Sequence, residues 1–86
     1  MASAYIRRGV LTVNNGVAAV CVPVADVTTV IYHQGMDGGR SQLFFNTPHT
    51  QALLYVVPPW LADKAAALIK EFVAKNACKE PFISFH

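Results

Sequence analysis

The stretch Pro58-Pro59-Trp60-Leu61-Ala62-Asp63-Lys64-Ala65-Ala66-Ala67-Leu68-Ile69-Lys70-Glu71-Phe72-Val73-Ala74-Lys75-Asn76 decides the fold. Its two prolines preset the backbone where a helix can begin without its first amide donors. Leu61, Ala65, Leu68 and Phe72 then recur at helical spacing and make one apolar line, widened by Ile69 and Val73. Asp63, Lys64, Lys70, Glu71 and Lys75 fall on the opposite arc, Asp63 towards the start and Lys75 towards the end, as the helix dipole favours. The pattern predicts one amphipathic helix over about 59–77. Some 17 helical residues reach about 25 Å, enough to cross four or five strands spaced about 4.8 Å apart.

Upstream, the chain reads as short strands and turns. Tyr5 to Val13 carries Ile6, Val10, Leu11 and Val13 and predicts a first strand, with Gly9 as a weak point or bulge. Asn14-Asn15-Gly16 follows, and Asn-Gly tolerates the paired positive φ of a tight hairpin turn. Val17 to Val22 is the expected return strand, closed by Pro23, which lacks a ladder donor. Val27 to His33, Ser41 to Phe45 and Ala52 to Val57 complete the set. The third and fifth of these strands are apolar on both sides, as expected of strands covered twice or lining a subunit contact. Between them, Gly35 to Arg40 holds three glycines in six residues and reads as a hairpin tip. A phosphate cradle would instead run from a strand into a helix.

The fold class that follows is α+β. It is a four- or five-stranded, mainly antiparallel sheet with one long C-terminal helix packed on one face, all within a single domain 1–86: strands over about 5–57, the helix over about 59–77 and a tail over 78–86. That tail, ending Phe82-Ile83-Ser84-Phe85-His86, is too apolar for a disordered end and is expected to dock on its own sheet or on a neighbour's edge.

Composition narrows the function. Of 86 residues 53% are hydrophobic and only 14% charged, against a typical quarter, so polar cover is scarce and a homo-oligomer, simplest as a homodimer, is expected. The net charge of +2 is too small to imply nucleic acid by itself. No run approaches the roughly 18 apolar residues that span a bilayer, and the N-terminus does not read as a signal peptide, so no membrane partner and a cytoplasmic location are expected. Two distant cysteines, Cys21 and Cys78, fit free thiols of a reducing compartment, with Cys21 expected buried in its strand.

Chemistry has little purchase in this chain. No nucleophile motif surrounds any Ser, Thr or Cys, so no catalytic residue is assigned and the chain is not expected to be an enzyme. His33, His49 and Asp37 lack the spacing of a ligand set, and His86 would join one only through folding, so neither metal nor cofactor is expected. The reading that remains is a small protein-binding module, accessory or regulatory to a larger protein partner, with Trp60, Tyr32, Phe82 and Phe85 as anchor residues. Its alternative is a single-stranded nucleic-acid binder using Arg7, Arg8 and Arg40 beside a tyrosine-bearing sheet face. Arg7 and Arg8, consecutive in one strand, would point to opposite faces.

Overall fold

The structure, a computed structural model, describes residues 1–35 and 40–86. Seven strands and one long helix follow in the order β1 (Ser3–Arg7), β2 (Val10–Asn14), β3 (Ala19–Pro23), β4 (Thr29–His33), β5 (Gln42–Asn46), β6 (Gln51–Tyr55), α1 (Pro59–Lys75) and β7 (Phe82–Phe85), with a 3₁₀ turn at Val24–Asp26 between β3 and β4. The class is α+β. The strands form two sheets: an antiparallel β1-β2-β3 and a four-stranded β6-β5-β4-β7, in which only β7 is parallel to its neighbour.

The first expected strand is two strands. Arg8 and Gly9 take φ of +53° and +76°, and Arg7 pairs with Val10 across them, so the tight two-residue hairpin sits here. Gly9 is a turn residue and not a bulge. The Asn-Gly segment also reverses the chain, but as a four-residue loop between the paired Asn14 and Ala19. Side-chain acceptors close it: Asn14 Oδ1 takes the Gly16 N–H at 2.7 Å, and Asn15 Oδ1 takes those of Val17 and Ala18 at 2.8 Å. Asn15 Nδ2 also donates to the Tyr55 carbonyl at 2.6 Å and ties the loop to β6 of the other sheet.

A single apolar core joins both sheets and the helix. Leu11, Val13 and Val22 come from the first sheet, Val30, Tyr32, Leu43, Phe45 and Leu54 from the second, and Leu61, Ala65, Ile69 and Val73 from α1. The helix lies against β1, β2 and the 3₁₀ turn, and the edge of β3 approaches that of β6. Its most buried line runs Leu61, Ala65, Ile69, Val73, with Leu68 and Phe72 only partly buried beside it. The helix is thus rotated from the expected line, because small Ala62 and Ala66 let that flank approach the sheets more closely.

The helix ends as its sequence allows without glycine. Ala77 takes φ of +51°, the Asn76 N–H reaches the Phe72 carbonyl at 3.0 Å, and the Cys78 N–H reaches the Val73 carbonyl at 3.1 Å. This Schellman-type reversal sends the chain back along the helix. The tail then docks on its own sheet: β7 pairs with β4 from Thr29↔Phe82 to Tyr32↔Phe85.

Candidate functional site

Strand alternation divides the four-stranded sheet into two faces. One is the core face just described. The other presents Thr29, Ile31 and His33 from β4, Gln42, Phe44 and Asn46 from β5, Gln51, Leu53 and Tyr55 from β6, and Phe82 and Ser84 from β7. Register sorts them into rows across the strands. Leu53, Phe44, Ile31 and Ser84 make the central row; Gln51, Asn46, Thr29 and Phe82 make one flank; Tyr55, Gln42 and His33 make the other.

None of these positions carries Lys, Arg, Asp or Glu. Apolar groups are nevertheless left to solvent, with Phe82 66% and Tyr55 44% exposed. Among the described residues no second helix covers this face, since α1 lies on the other side with the core. Both faces of β4 and β6 are apolar for different reasons: one side is core, the other is surface.

The third row is completed by the tail. His86 N–H donates to the Tyr32 carbonyl at 2.8 Å, and its carbonyl accepts from Gln34 N–H at 3.0 Å, which extends the parallel ladder by one residue. His86 therefore stacks on His33, with ring centroids 4.9 Å apart and 20° between planes. Phe44 meets the His33 ring edge-on at 6.3 Å, and Ser84 Oγ lies 2.8 Å from His86 Nε2. Polar hydrogen bonding and aromatic area are thus side by side.

The four expected anchors are not brought together. Tyr32 is a correction: it is 2% exposed in the core, and its hydroxyl donates to the Val57 carbonyl at 2.5 Å. Inward alternation in β4 puts it there, and burial raises its phenol pKa, with Ser41 opposing and Asp63 adding to the rise. Phe85 leans over Tyr32 at the sheet edge, ring centroids 5.4 Å apart. Trp60 is exposed on the first turn of α1, and only Phe82 lies on the uncharged face.

The arginines also divide. Arg8 sits in the turn rather than in a strand, so it does not oppose Arg7; both line one shallow recess with Tyr5, Val10 and Thr12 on the outer side of the three-stranded sheet. Arg40 borders a separate cleft near Gln34, Ser41 and Val56. In that cleft Ser41 Oγ accepts from Val57 N–H and donates to the Val57 carbonyl, both at 2.7 Å. The glycine-rich segment expected at 35–40 lies mostly outside the described residues, as does Asp37.

Cys21 is a further correction. It is exposed on the outer side of β3, its Sγ 3.4 Å from Thr12 Oγ1, because Val22 and not Cys21 takes the inward position. Cys78 is half-buried, and both thiols are free. His49 lies in the turn after β5, at the opposite end of that strand from His33, so the two do not approach. Among the described residues no three His, Cys, Asp or Glu side chains gather at metal-binding distance, and no helix is long and apolar enough to cross a membrane.

Sequence reasoning missed the His33–His86 stack, which depends on the register of a strand added from the far end of the chain. The double-sided apolar pattern of β4 and β6 was the available signal for the face as a whole. Comparison of the chain with protein-family models, with curated proteins and with solved structures gives no match.

Proposed function

We propose that the chain is a small non-catalytic protein-binding module, accessory or regulatory to a larger partner, and that it self-associates through the outer face of β6-β5-β4-β7. One observation carries this reading: a sheet face open to solvent whose central row, half-buried Leu53, Phe44 and Ile31 ending at Ser84, is mostly apolar, and which is without one Lys, Arg, Asp or Glu. A two-fold interface sets a patch against its own image. Charges near the axis would then meet like charges at a cost of several kcal/mol, which this face avoids.

Size sets the expected strength. Three strands of five residues and one of four, at about 3.4 Å per residue and about 4.8 Å apart, give a plan of no more than about 17 by 19 Å. That is small beside the roughly 800 Å² per partner of a standard interface, even with the rim at Phe82 and Tyr55. The association is therefore expected to be reversible, with a dissociation constant on the order of micromolar. A reducing, cytoplasmic setting suits the two free thiols.

Sedimentation equilibrium of the wild-type chain and of Ile31→Lys tests the proposal. A monomer–dimer equilibrium that the lysine weakens at least about 100-fold, with unchanged circular dichroism, is the expected result. A wild-type chain that stays monomeric at high micromolar concentration would reject it.

A second reading rests on the recess where Tyr5 sits with Arg7 and Arg8, a stacking surface beside two cations. It predicts single-stranded oligonucleotide binding that weakens steeply with salt, whereas contact through the uncharged face barely responds.

A further inference from the structure

The outer edge of β7 is a surface separate from the outer sheet face. In the parallel pairing of β7 with β4, Phe82 N–H bonds the Thr28 carbonyl at 3.0 Å and His86 N–H bonds that of Tyr32 at 2.8 Å. Backbone groups alternate sides along a strand. The N–H and C=O of Ile83 and Phe85 therefore point away from β4, along an edge that no further strand among the described residues covers. Four open backbone groups in a row are a template for one more strand.

Alongside that edge runs a groove of about 430 Å³, bounded by Ile83 and Phe85 on one side and by Asp63, Ala66, Ala67 and Lys70 of α1 on the other. The two alanines make a shallow apolar floor. Asp63 and Lys70 stand seven helical residues apart, about 10 Å along the axis. The chain reversal after α1 makes the helix antiparallel to β7, which puts Asp63 at the Phe85 end and Lys70 at the Ile83 end. Consistent with that, Asp63 acts on Tyr32, the residue Phe85 leans over. Neither charge is used by the ion pair present among the described residues, Lys75 with Glu71.

We propose that this edge and groove accept an extended peptide segment of a partner protein, added antiparallel to β7, with a basic, a small apolar and an acidic side chain at successive alternate positions from its N-terminus. Backbone bonds to Ile83 and Phe85 hold the strand. Side chains on one face of the added strand repeat every 6.8 Å or so. The apolar one thus rests over Ala66 and Ala67 while the basic and acidic ones reach Asp63 and Lys70. Charge complementarity fixes direction: reversed, the peptide sets like charges together at both ends. The recognition is that of strand addition, with affinity from the backbone and selectivity from alternate side chains.

The test uses fluorescence anisotropy with a labelled, end-capped peptide carrying lysine, valine and glutamate at alternate positions and threonine between them, and a second peptide with the two charges exchanged. The expected result is binding of the first about fivefold tighter than of the second, with that order reversed by the double substitution Asp63→Lys, Lys70→Glu. Both substitutions are on exposed helix positions, so folding is retained. Amide spectra should show Ile83 and Phe85 shifted and slowed in exchange on binding. No binding at millimolar peptide, equal affinity for the two peptides, an order unmoved by the charge exchange, or perturbation centred on Ile31 and Phe44 would each overturn the proposal. So would dimerisation through β7 itself, seen as sedimentation that Ile31→Lys leaves unchanged while peptide disperses it.

Discussion

Replacing Ile69 by alanine asks whether the core has the helix orientation described. Ile69 is fully buried, in the most buried line of α1 with Leu61, Ala65 and Val73. The change deletes three carbons, about 2.4 kcal/mol at roughly 0.8 kcal/mol each, and leaves a cavity between two sheets and a helix that cannot close freely. A total of about 3 to 4 kcal/mol is expected, against a stability of about 4 to 13 kcal/mol for a chain of this length. Leu68 is only partly buried on the flank, so Leu68→Ala should cost no more than about 1 to 2 kcal/mol. Urea unfolding followed by circular dichroism at low protein concentration measures both. If Leu68→Ala proved as costly as Ile69→Ala, the helix rotation would be refuted and the line through Leu68 and Phe72 restored.

Ala77→Gly should stabilise the chain by about 1 kcal/mol, because Ala77 holds a left-handed φ of +51° that glycine adopts without strain; a lowered melting temperature would count against the helix-ending geometry. Ser41→Ala strips Val57 of the bonds that Oγ makes to its N–H and C=O, and should cost about 1 to 3 kcal/mol in the same urea assay. Tyr32 has its phenol raised above the ordinary 10.0 by burial. The unfolded chain therefore ionises this group first, so stability is fully present below pH 10.0 and is lost as pH climbs through the raised folded value. Urea midpoints on either side of pH 10.0 should show that fall, and Tyr32→Phe should flatten it. Cys21, exposed on β3, should react with a bulky thiol reagent faster than half-buried Cys78 in the native chain; the reverse order would displace β3 from its register.

Much of this fold is legible in local chemistry. The prolines at 58 and 59 start α1, and the strand segments after Pro23 fall within a residue or two of the observed β4, β5 and β6. Two features escaped for physical reasons. Arg8 carries a positive φ that its side chain does not advertise, so the first hairpin was hidden inside an apparently continuous strand and one sheet was expected where there are two. Helical periodicity locates a face only to within a flank, and the choice between Leu68 and Ile69 depends on the tertiary approach allowed by Ala62 and Ala66. The site divides likewise. Apolar residues on both sides of β4 and β6 signalled a second apolar face opposite the core, and Phe82 lies on it. Tyr32 was lost to the core by strand parity, and the pairing of His33 with His86 follows only from long-range register.

Self-association as proposed sets copies of this chain together across the Lys-, Arg-, Asp- and Glu-free outer face of β6-β5-β4-β7. Amide chemical shifts recorded while the protein is diluted from about 1 mM to tens of micromolar test it most directly. Concentration-dependent shifts should concentrate on β4, β5 and β6, with Ile31, Phe44 and Leu53 at the centre and Phe82 and Tyr55 at the rim. Shifts confined to the outer arc of α1, or none over that range, would contradict it.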